Sequence, residues 1–243
     1  MAKIYYAGDW AVLTGPTFAE SPFQFAPKGL EIFNYGKWLK EALESDGKHQ
    51  VDSVPGWDFY KLGPGEYEKI LEEYDVIIFS DIEGKLFQLA PHFFVREEFG
   101  KKILVYPDRI RLTAEAVAAG KGLMMLGGWY SFTGELGKGG WGRTEFRSIL
   151  PVECLPHEDL VESTEGFYPK LTDAGKKVFF ESDFEGMPPI LGYNETRVIP
   201  EGEVLVTIEE TGHPLVATRK IGRGRVLAYT SDPAPHWGLN FVY

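Results

Sequence analysis

Short apolar runs recur along the first half of the chain and predict buried strands. They are Lys3 to Ala7, Val51 to Val54, Val76 to Phe79 and Leu123 to Leu126. The run from Val76 to Phe79 is apolar at every position, which is typical of a central parallel strand that is covered on both faces. The sequence therefore predicts a sheet with a buried centre.

Between these runs, apolar residues at helical spacing predict helices. The first helix is predicted over Leu30 to Glu44, before Gly47, after a Pro/Phe-rich loop from Thr14 to Lys28. An acidic helix is predicted around Glu66 to Glu73, and another over Pro107 to Ala119 with proline in its first turn. Because strands and helices alternate, we predict a flavodoxin-like α/β fold with a doubly wound, mostly parallel sheet.

The pattern changes in the last third of the chain. Three strands are predicted there, at Glu203 to Glu209, Pro214 to Lys220 and Arg225 to Thr230, and Gly222-Arg223-Gly224 joins the last two. Such closely spaced strands indicate a partly antiparallel C-terminal extension of the sheet. No internal repeat or long linker interrupts the chain, so we predict one domain over residues 1–243.

Composition and charge narrow the classes of partner. The net charge is −11 and the sequence pI is about 5.0, so nucleic acid meets a repulsive average field. No long apolar run is present and Met1-Ala2-Lys3-Ile4 enters a strand directly, so we expect neither membrane insertion nor a signal peptide. Cys154 is the single cysteine, which excludes an intramolecular disulfide and a cysteine-rich zinc site. We expect a cytoplasmic protein.

Polar side chains follow the predicted strands where each strand ends. Asp9 and Trp10 follow the first strand, Asp81 follows Ser80, and Asp232 with His236 follows the last strand. Because open α/β sheets bind ligands at the carboxyl edge of their strands, we expect these side chains to converge.

Asp232 and His236 are the candidate catalytic pair, because a carboxylate and a histidine can exchange protons near neutral pH. The candidate binding residues are Asp9, Trp10, Asp81, Gly127, Gly128, Trp129, Tyr193, Asn194 and Trp237. The aromatic members of this set can stack on a sugar ring or another flat apolar face. The structural alternatives are that the aspartates form turns or cap elements, and that His236-Trp237 only packs its loop against the core.

The sequence does not support a metal site, a dinucleotide-binding motif or a serine nucleophile. No pair of histidines at ligand spacing supports a metal, and no cofactor is predicted. Gly137, Gly139 and Gly142 spell G-x-G-x-x-G, but they lie too far beyond the strand end to present amides to a dinucleotide. A loop that closes over the pocket, with Lys138 and Arg143 as contacts to an anionic group, competes there with a plain surface loop. Ser131 lacks the Gly-x-Ser-x-Gly elbow of a serine nucleophile.

Four segments resemble the glutamine-amidotransferase-like proteins of the class I glutamine amidotransferase-like superfamily, alongside trehalose-utilisation-type proteins. They are DVIIFSD (Asp75 to Asp81), GLMMLGGWYSF (Gly122 to Phe132), Gly192-Tyr193-Asn194 and TSDPAPHWG (Thr230 to Gly238). The resemblance implies a flavodoxin-like sheet. It implies little about a reaction, because sites vary on a shared fold.

The resemblance breaks at the nucleophile. Class I glutaminases carry a cysteine on a sharp turn after a central strand, where amides stabilise the thiolate and the oxyanion. By order along this chain, the corresponding turn carries Gly127 and Gly128, and Cys154 follows in the apolar context PVECLP. Glutamine hydrolysis by the standard mechanism is therefore not expected.

Three functions follow from this reading. The first is an enzyme-like pocket at the carboxyl edge that takes a small polar metabolite, with a carbohydrate suggested by the aromatic residues and by the trehalose-utilisation resemblance. The second is a non-catalytic module for ligand binding or assembly. The third, a conventional glutaminase, requires Cys154. Relatives of this type continue past the His-Trp loop into a helix, whereas this sequence ends at Tyr243. Either the sequence is truncated there, or Phe241-Val242-Tyr243 packs onto another subunit, and we expect a homo-oligomer.

Overall fold

The fold is given by a computed structural model that describes residues 1–14, 17–21, 24–27, 30–63, 65–89 and 91–242. Its strands are β1 (Ala2–Gly8), β2 (Trp10–Thr14), β3 (Thr17–Ser21), β4 (Gln24–Pro27), β5 (Leu30–Asn34), β6 (His49–Val54), β7 (Val76–Ser80), β8 (Gly122–Leu126), β9 (Val152–Cys154), β10 (Leu160–Phe167), β11 (Pro169–Leu171), β12 (Ile190–Asn194), β13 (Thr196–Val198), β14 (Glu203–Ile208), β15 (Pro214–Ile221) and β16 (Gly224–Tyr229). Its α-helices are α1 (Lys37–Glu44), α2 (Gly56–Tyr60), α3 (Glu66–Glu73), α4 (Gly84–Gln88) and α5 (Arg109–Ala118). Short 3-10 helices lie at Pro91–Phe94, Arg96–Glu98, Glu135–Gly137, Trp141–Arg143, Glu145–Ser148, Gly175–Lys177, Glu181–Phe184 and Leu239–Phe241.

One sheet organises these elements. Its strand order is β11-β14-β15-β16-β8-β7-β1-β6, and the five strands from β16 to β6 are parallel to one another. Counted along the chain, the parallel part runs 2-1-3-4-5, the flavodoxin-like order, and the direction of winding reverses between β1 and β7. Strands β11, β14 and β15 add antiparallel pairs. The predicted fold class, with its antiparallel extension, is confirmed.

The parallel strands are buried on both faces because apolar residues occupy both sides of the pleat. On β7, Ile77 and Phe79 pack into an aromatic cluster with Phe59, while Ile78 between them joins a second cluster with Tyr6 on the opposite face. Helices and loops cover both faces of the sheet. At the carboxyl ends of the parallel strands, the chain leaves the sheet in turns.

The segment between β1 and β6 corrects the sequence analysis. The helix predicted over Leu30 to Glu44 begins only at Lys37, because Leu30–Asn34 pairs antiparallel with Trp10–Thr14. Within the loop predicted from Thr14 to Lys28, β3 pairs with β4, and residues 15, 16, 22, 23 and 28 lie outside the described residues. The apolar spacing fits a helix, but a strand partner that lies far along the sequence decides the outcome.

The helix predicted over Pro107 to Ala119 begins slightly later than expected. Helix α5 begins at Arg109, where the Asp108 side chain accepts hydrogen bonds from the amides of Ile110 and Arg111, so Pro107 precedes the first turn. The acidic helix is found at Glu66–Glu73 as predicted. No helix in the described part of the chain has the length and apolar character needed to cross a membrane.

Candidate functional site

Two aspartates occupy strained turns side by side at the carboxyl edge. Asp9 follows β1 with φ of 53° and Asp81 follows β7 with φ of 51°, and the preceding residues Gly8 and Ser80 are register partners. Positive φ is uncommon outside glycine, although aspartate tolerates it better than most residues. Gly8 is required for the close approach, since a Cβ there would lie 1.7 Å from the Ser80 carbonyl oxygen. Both aspartates therefore lie at the switch point of the sheet, in conformations that cluster at functional sites.

The turn after β8 holds the Asp81 carboxyl group. The Tyr130 amide donates to Asp81 Oδ1 at 2.9 Å, and the Ser131 hydroxyl accepts from the Asp81 amide at 3.1 Å. Gly128 leaves room for the carboxyl group, because a Cβ there would lie 2.0 Å from Asp81 Oδ1. Ser131 is fully buried in this role. The position of the Asp81 carboxyl group therefore depends on the turn after β8.

Burial shifts the proton affinity of the aspartates. Burial raises the pKa of Asp9 to about 6, although a hydrogen bond from the Tyr6 hydroxyl and the charge of His236 act in the opposite direction. Burial and the negative charges of Asp232 and Asp9 hold the pKa of Asp81 well above its usual range. Buried carboxyls with like-charged neighbours keep a proton to higher pH. The edge therefore carries carboxyl groups that titrate closer to neutrality than free aspartate.

Asp232 and His236 form a pair in the loop after β16. Asp232 is only 3% exposed, and its Oδ2 lies 3.5 Å from His236 Nδ1. The Ala234 amide donates to Asp232 Oδ1 at 2.7 Å and fixes the turn. Burial, followed by the charge of Asp9, raises the pKa of Asp232 well above its usual range. The aspartate is placed to orient an imidazole whose side chain is about half exposed.

Aromatic rings hold the imidazole of His236 in place. The Trp129 ring stacks on it with centroids 4.9 Å apart and planes 15° apart, and Tyr35 lies at 6.4 Å. Glu162 Oε1 accepts from both indoles, Trp129 Nε1 at 3.2 Å and Trp237 Nε1 at 2.7 Å. One carboxylate thus ties together the two tryptophans that flank the His236 loop.

The three aspartates, His236 and Trp129 line one cavity of about 650 Å³. Six of the sequence-predicted site residues line it, namely Asp9, Trp10, Asp81, Trp129, Asp232 and His236. Residues that sequence reasoning missed include Tyr35, Trp57, Tyr60 and Glu83. Among the described residues, its lining contains no lysine or arginine. The cavity lining is therefore both acidic and aromatic.

The other predicted site residues lie outside the cavity lining. The fully buried Asn194 accepts from the Gly128 amide at 2.9 Å and donates to the Gly128 carbonyl at 3.1 Å and to Asp159 at 2.9 Å. Tyr193 is buried, with its hydroxyl against Thr211 and His213. The remaining members, Gly127 and the 2% exposed Trp237, are packed against Thr230 and Gly192 respectively. Gly128 and Asn194 therefore support the turn that holds Asp81, whereas Tyr193 belongs to the core beneath the antiparallel strands.

Cys154 lies at a different place. It lines a second cavity of about 330 Å³ together with Arg143, Glu153 and the glycines 137, 140 and 142. Burial, followed by the charges of Asp159 and Glu153, raises the pKa of the thiol to about 12. Two glycines of the G-x-G-x-x-G motif, Gly137 and Gly142, therefore line the cysteine cavity, and the motif contributes no lining residue to the first cavity. Lys138 lies over the Tyr130 ring and pairs with Glu135.

The described residues contain no group of three or more histidine, cysteine, aspartate or glutamate side chains arranged to hold a metal ion. This holds for the three aspartates at the sheet edge, which all belong to the described part.

Fold and site together define a flavodoxin-like α/β protein with an acidic, aromatic-walled cavity at its switch point. The family described as "putative glutamine amidotransferase" matches residues 25–242, and the chain belongs to this family. The predicted resemblance is thereby confirmed.

Solved structures share the fold of this chain. The chain is similar to the cytoplasmic protein STM1381 from Salmonella typhimurium LT2, with 28% identity, a TM-score of 0.79, and coverage of 99% of this chain and 92% of that one. It is also similar to the cytoplasmic protein STM3548 from Salmonella typhimurium, with 24% identity, a TM-score of 0.79, and coverage of 98% and 90%. A β-galactosidase from Rahnella sp. R3 shares the fold at 15% identity and a TM-score of 0.51, over 99% of this chain and 30% of that one. No curated protein matches the chain.

Proposed function

We propose that the protein binds a small polyhydroxylated metabolite of the carbohydrate class in the 650 Å³ cavity and exchanges protons with it through Asp9, Asp232 and His236. The observation that carries the proposal is the convergence of these three side chains with Asp81 at the switch point. Open α/β sheets bind ligands at this place, and shifted pKa values mark functional carboxyls.

Each group has a role that its surroundings favour. Asp9, with its pKa raised to about 6, can accept or donate a proton near neutral pH. Asp232 orients the His236 imidazole, which provides the second proton-transfer group of the lining. Asp81 keeps its proton to higher pH, so it can donate a hydrogen bond to a ligand hydroxyl.

The lining suits a sugar better than an anion. Indole and phenol rings such as Trp129 and Tyr60 provide flat apolar faces, and carboxyl groups accept hydrogen bonds from hydroxyls. Phosphates and carboxylates need a cationic partner, and no lysine or arginine is present among the described lining residues. Sugar acids and sugar phosphates are therefore expected to bind more weakly than the neutral sugars.

The same geometry argues against a cysteine-dependent glutaminase. Gly127 and Gly128 occupy the turn where that nucleophile would stand, and the Gly128 and Tyr130 amides already donate to Asn194 and Asp81. A thiol with a pKa of about 12 supplies almost no thiolate at neutral pH. A non-catalytic ligand-binding module remains the second candidate, because it needs the cavity and no turnover.

Two further properties belong to this proposal. We propose a cytoplasmic location, which the description of both Salmonella relatives supports. We also propose a homo-oligomer, because Leu239 and Phe241 near the C-terminus are 39% and 41% exposed. Analytical ultracentrifugation checks the oligomer, and a monomer at all concentrations would contradict it.

Calorimetric titration tests the binding site. Hexoses, disaccharides, sugar acids and sugar phosphates are titrated into wild type, His236→Ala and His213→Ala. His213 is the matched control, since it also faces a carboxylate, Glu195 at 3.7 Å, outside the cavity. Binding of a neutral sugar that weakens at least about tenfold in His236→Ala alone supports the proposal. Binding that is equal in all three proteins would contradict it.

Turnover is then assayed on the compound that binds. Product formation that is lost in Asp9→Asn supports an enzyme, whereas binding with no product supports the ligand-binding module. Ammonia release from glutamine is measured on wild type and Cys154→Ser, and release that depends on Cys154 would overturn the assignment of the site.

A further inference from the structure

Acidic side chains outnumber basic side chains in the lining of the cavity. Asp9, Asp81, Glu83 and Asp232 contribute carboxyl groups to its lining, and His236 is the one basic side chain among the described lining residues. The protein supplies the aspartates with neutral donors, which are the Tyr6 hydroxyl and the Tyr130 and Ala234 amides. Buried carboxylates in proteins are ordinarily matched by a cation. Here that charge is not supplied by the described residues around the cavity.

The walls of the same cavity are suited to a cation for an independent reason. Trp10, Trp57, Tyr35 and Tyr60 line it together with Trp129. Ring faces attract ammonium groups, most strongly where water is excluded, and carboxylates beside such rings add to that attraction. The overall charge of −11 also raises the local concentration of cations around the molecule.

We propose that the natural ligand is a polyhydroxylated metabolite that carries a protonated amino group, such as an amino sugar, with the ammonium placed among Asp9, Asp81 and Asp232. This inference rests on the proposed function and specifies its substrate class. The hydroxyls and the ring then lie toward Trp129 and His236, while the ammonium provides the counter-charge that the lining lacks. An acidic cleft without the rings would attract simple cations, whereas this cavity selects a cation that also has a flat body.

Cation binding has a measurable consequence at these carboxyls. An ammonium group favours their ionised forms, so the complex must release protons where the free site is partly protonated. Asp9 is about half protonated near pH 6 in the free protein, because burial raises its pKa to about 6. A neutral sugar brings no charge and has no such effect.

The test compares each amino sugar with its parent sugar. Glucosamine, galactosamine and mannosamine are titrated calorimetrically at about pH 6 against glucose, galactose and mannose, in buffers of different ionisation enthalpy. We expect at least one amine to bind about tenfold or more tightly than its parent, with proton release on binding. Parents that bind as tightly as their amines would overturn this inference and leave the proposed function standing. Failure of all six compounds to bind would count against both.

Two variants localise the effect. Asp81→Asn keeps an oxygen for the Tyr130 amide but cannot ionise when an ammonium binds, so the preference for the amine over its parent should fall about fivefold or more. Glu195→Gln, which removes a carboxylate outside the cavity, should leave the preference unchanged. An equal loss in both variants would indicate a general field of the acidic protein and would overturn the assigned position of the ammonium.

Discussion

The two cavities of this protein show how the same physical cause gives opposite chemical results. Burial acts on Asp9 in the first cavity and on Cys154 in the second. It moves the pKa of the carboxyl group up toward neutrality, to about 6, and moves the pKa of the thiol up and away from neutrality, to about 12. An acid that is ionised at neutral pH gains reactivity from burial, whereas an acid that is protonated at neutral pH loses it. Chemistry in this fold is therefore expected at the aspartates.

The sharpest way to break this comparison is to measure the reactivity of the cysteine. With a pKa of about 12, Cys154 should react with a disulfide reagent such as DTNB about a thousandfold more slowly than free cysteine at about pH 8. The same protein unfolded in urea serves as the control and should react at the ordinary rate. Rapid labelling of the folded protein would mean that the second cavity holds an activated thiol.

A glycine packed against Asp81 behind the first cavity and a glycine that lines the second cavity should differ next most strongly. Gly128→Ala places a Cβ 2.0 Å from Asp81 Oδ1 at a φ of 140°, so we expect a loss of at least about 3 kcal/mol in the free energy of unfolding by urea. Gly137 is the matched control from the second cavity, with a φ of 72° and nothing within 4 Å of the added Cβ. Gly137→Ala should cost about 1–2 kcal/mol from the backbone alone. Equal losses would show that Gly128 does not pack against Asp81.

The pH dependence of stability comes third. The folded pKa of Asp9 lies above its unfolded value, so its ionisation destabilises the fold as pH rises from about 4 to about 6. We expect the free energy of unfolding of wild type to fall by about 1–3 kcal/mol more than that of Asp9→Asn over this range. Urea unfolding at several pH values measures the difference. Parallel curves for the two proteins would place Asp9 in a solvated environment.

The smallest effect concerns the carboxylate that joins the tryptophans. Glu162→Leu removes the acceptor of Trp129 and Trp237 and should cost about 1 kcal/mol, with a change in tryptophan fluorescence as the stacking on His236 loosens. Glu162→Gln keeps an acceptor oxygen and should retain both signals. Glu165→Leu, at an exposed position on the same strand, is the control for the added apolar surface. A fluorescence change in all three variants would argue against a specific role of the hydrogen bonds from Trp129 and Trp237 to Glu162.

The sequence predicted the sheet because its strands carry their own signal. The apolar run from Val76 to Phe79 can be satisfied only by burial on both faces, and the glycines and aspartates after such runs mark the carboxyl edge. The segment Leu30–Asn34 was assigned wrongly because its partner, Trp10–Thr14, lies on the far side of a long connection. Local spacing cannot report that pairing.

Some residues of the site were predictable from the sequence and others were not, for the same reason. Asp9, Asp81 and Asp232 were found from their positions after strand ends, and the structure brings them to one cavity. Glu162 was missed because it lies within β10, and its role depends on two indoles that arrive from other loops. Tyr6 was missed because a tyrosine inside a buried strand resembles a core residue until its hydroxyl is seen to contact Asp9.

The central claim is that ligands bind at the aspartate cavity and that the cysteine cavity remains unused. A crystal structure of the protein with the tightest-binding sugar or amino sugar from the calorimetric series tests it most directly. The account predicts a ligand whose polar atoms lie within hydrogen-bonding distance of Asp9, Asp81 or Asp232 and whose ring lies beside Trp129. A ligand seated beside Arg143 and Cys154, with the first cavity empty, would contradict it.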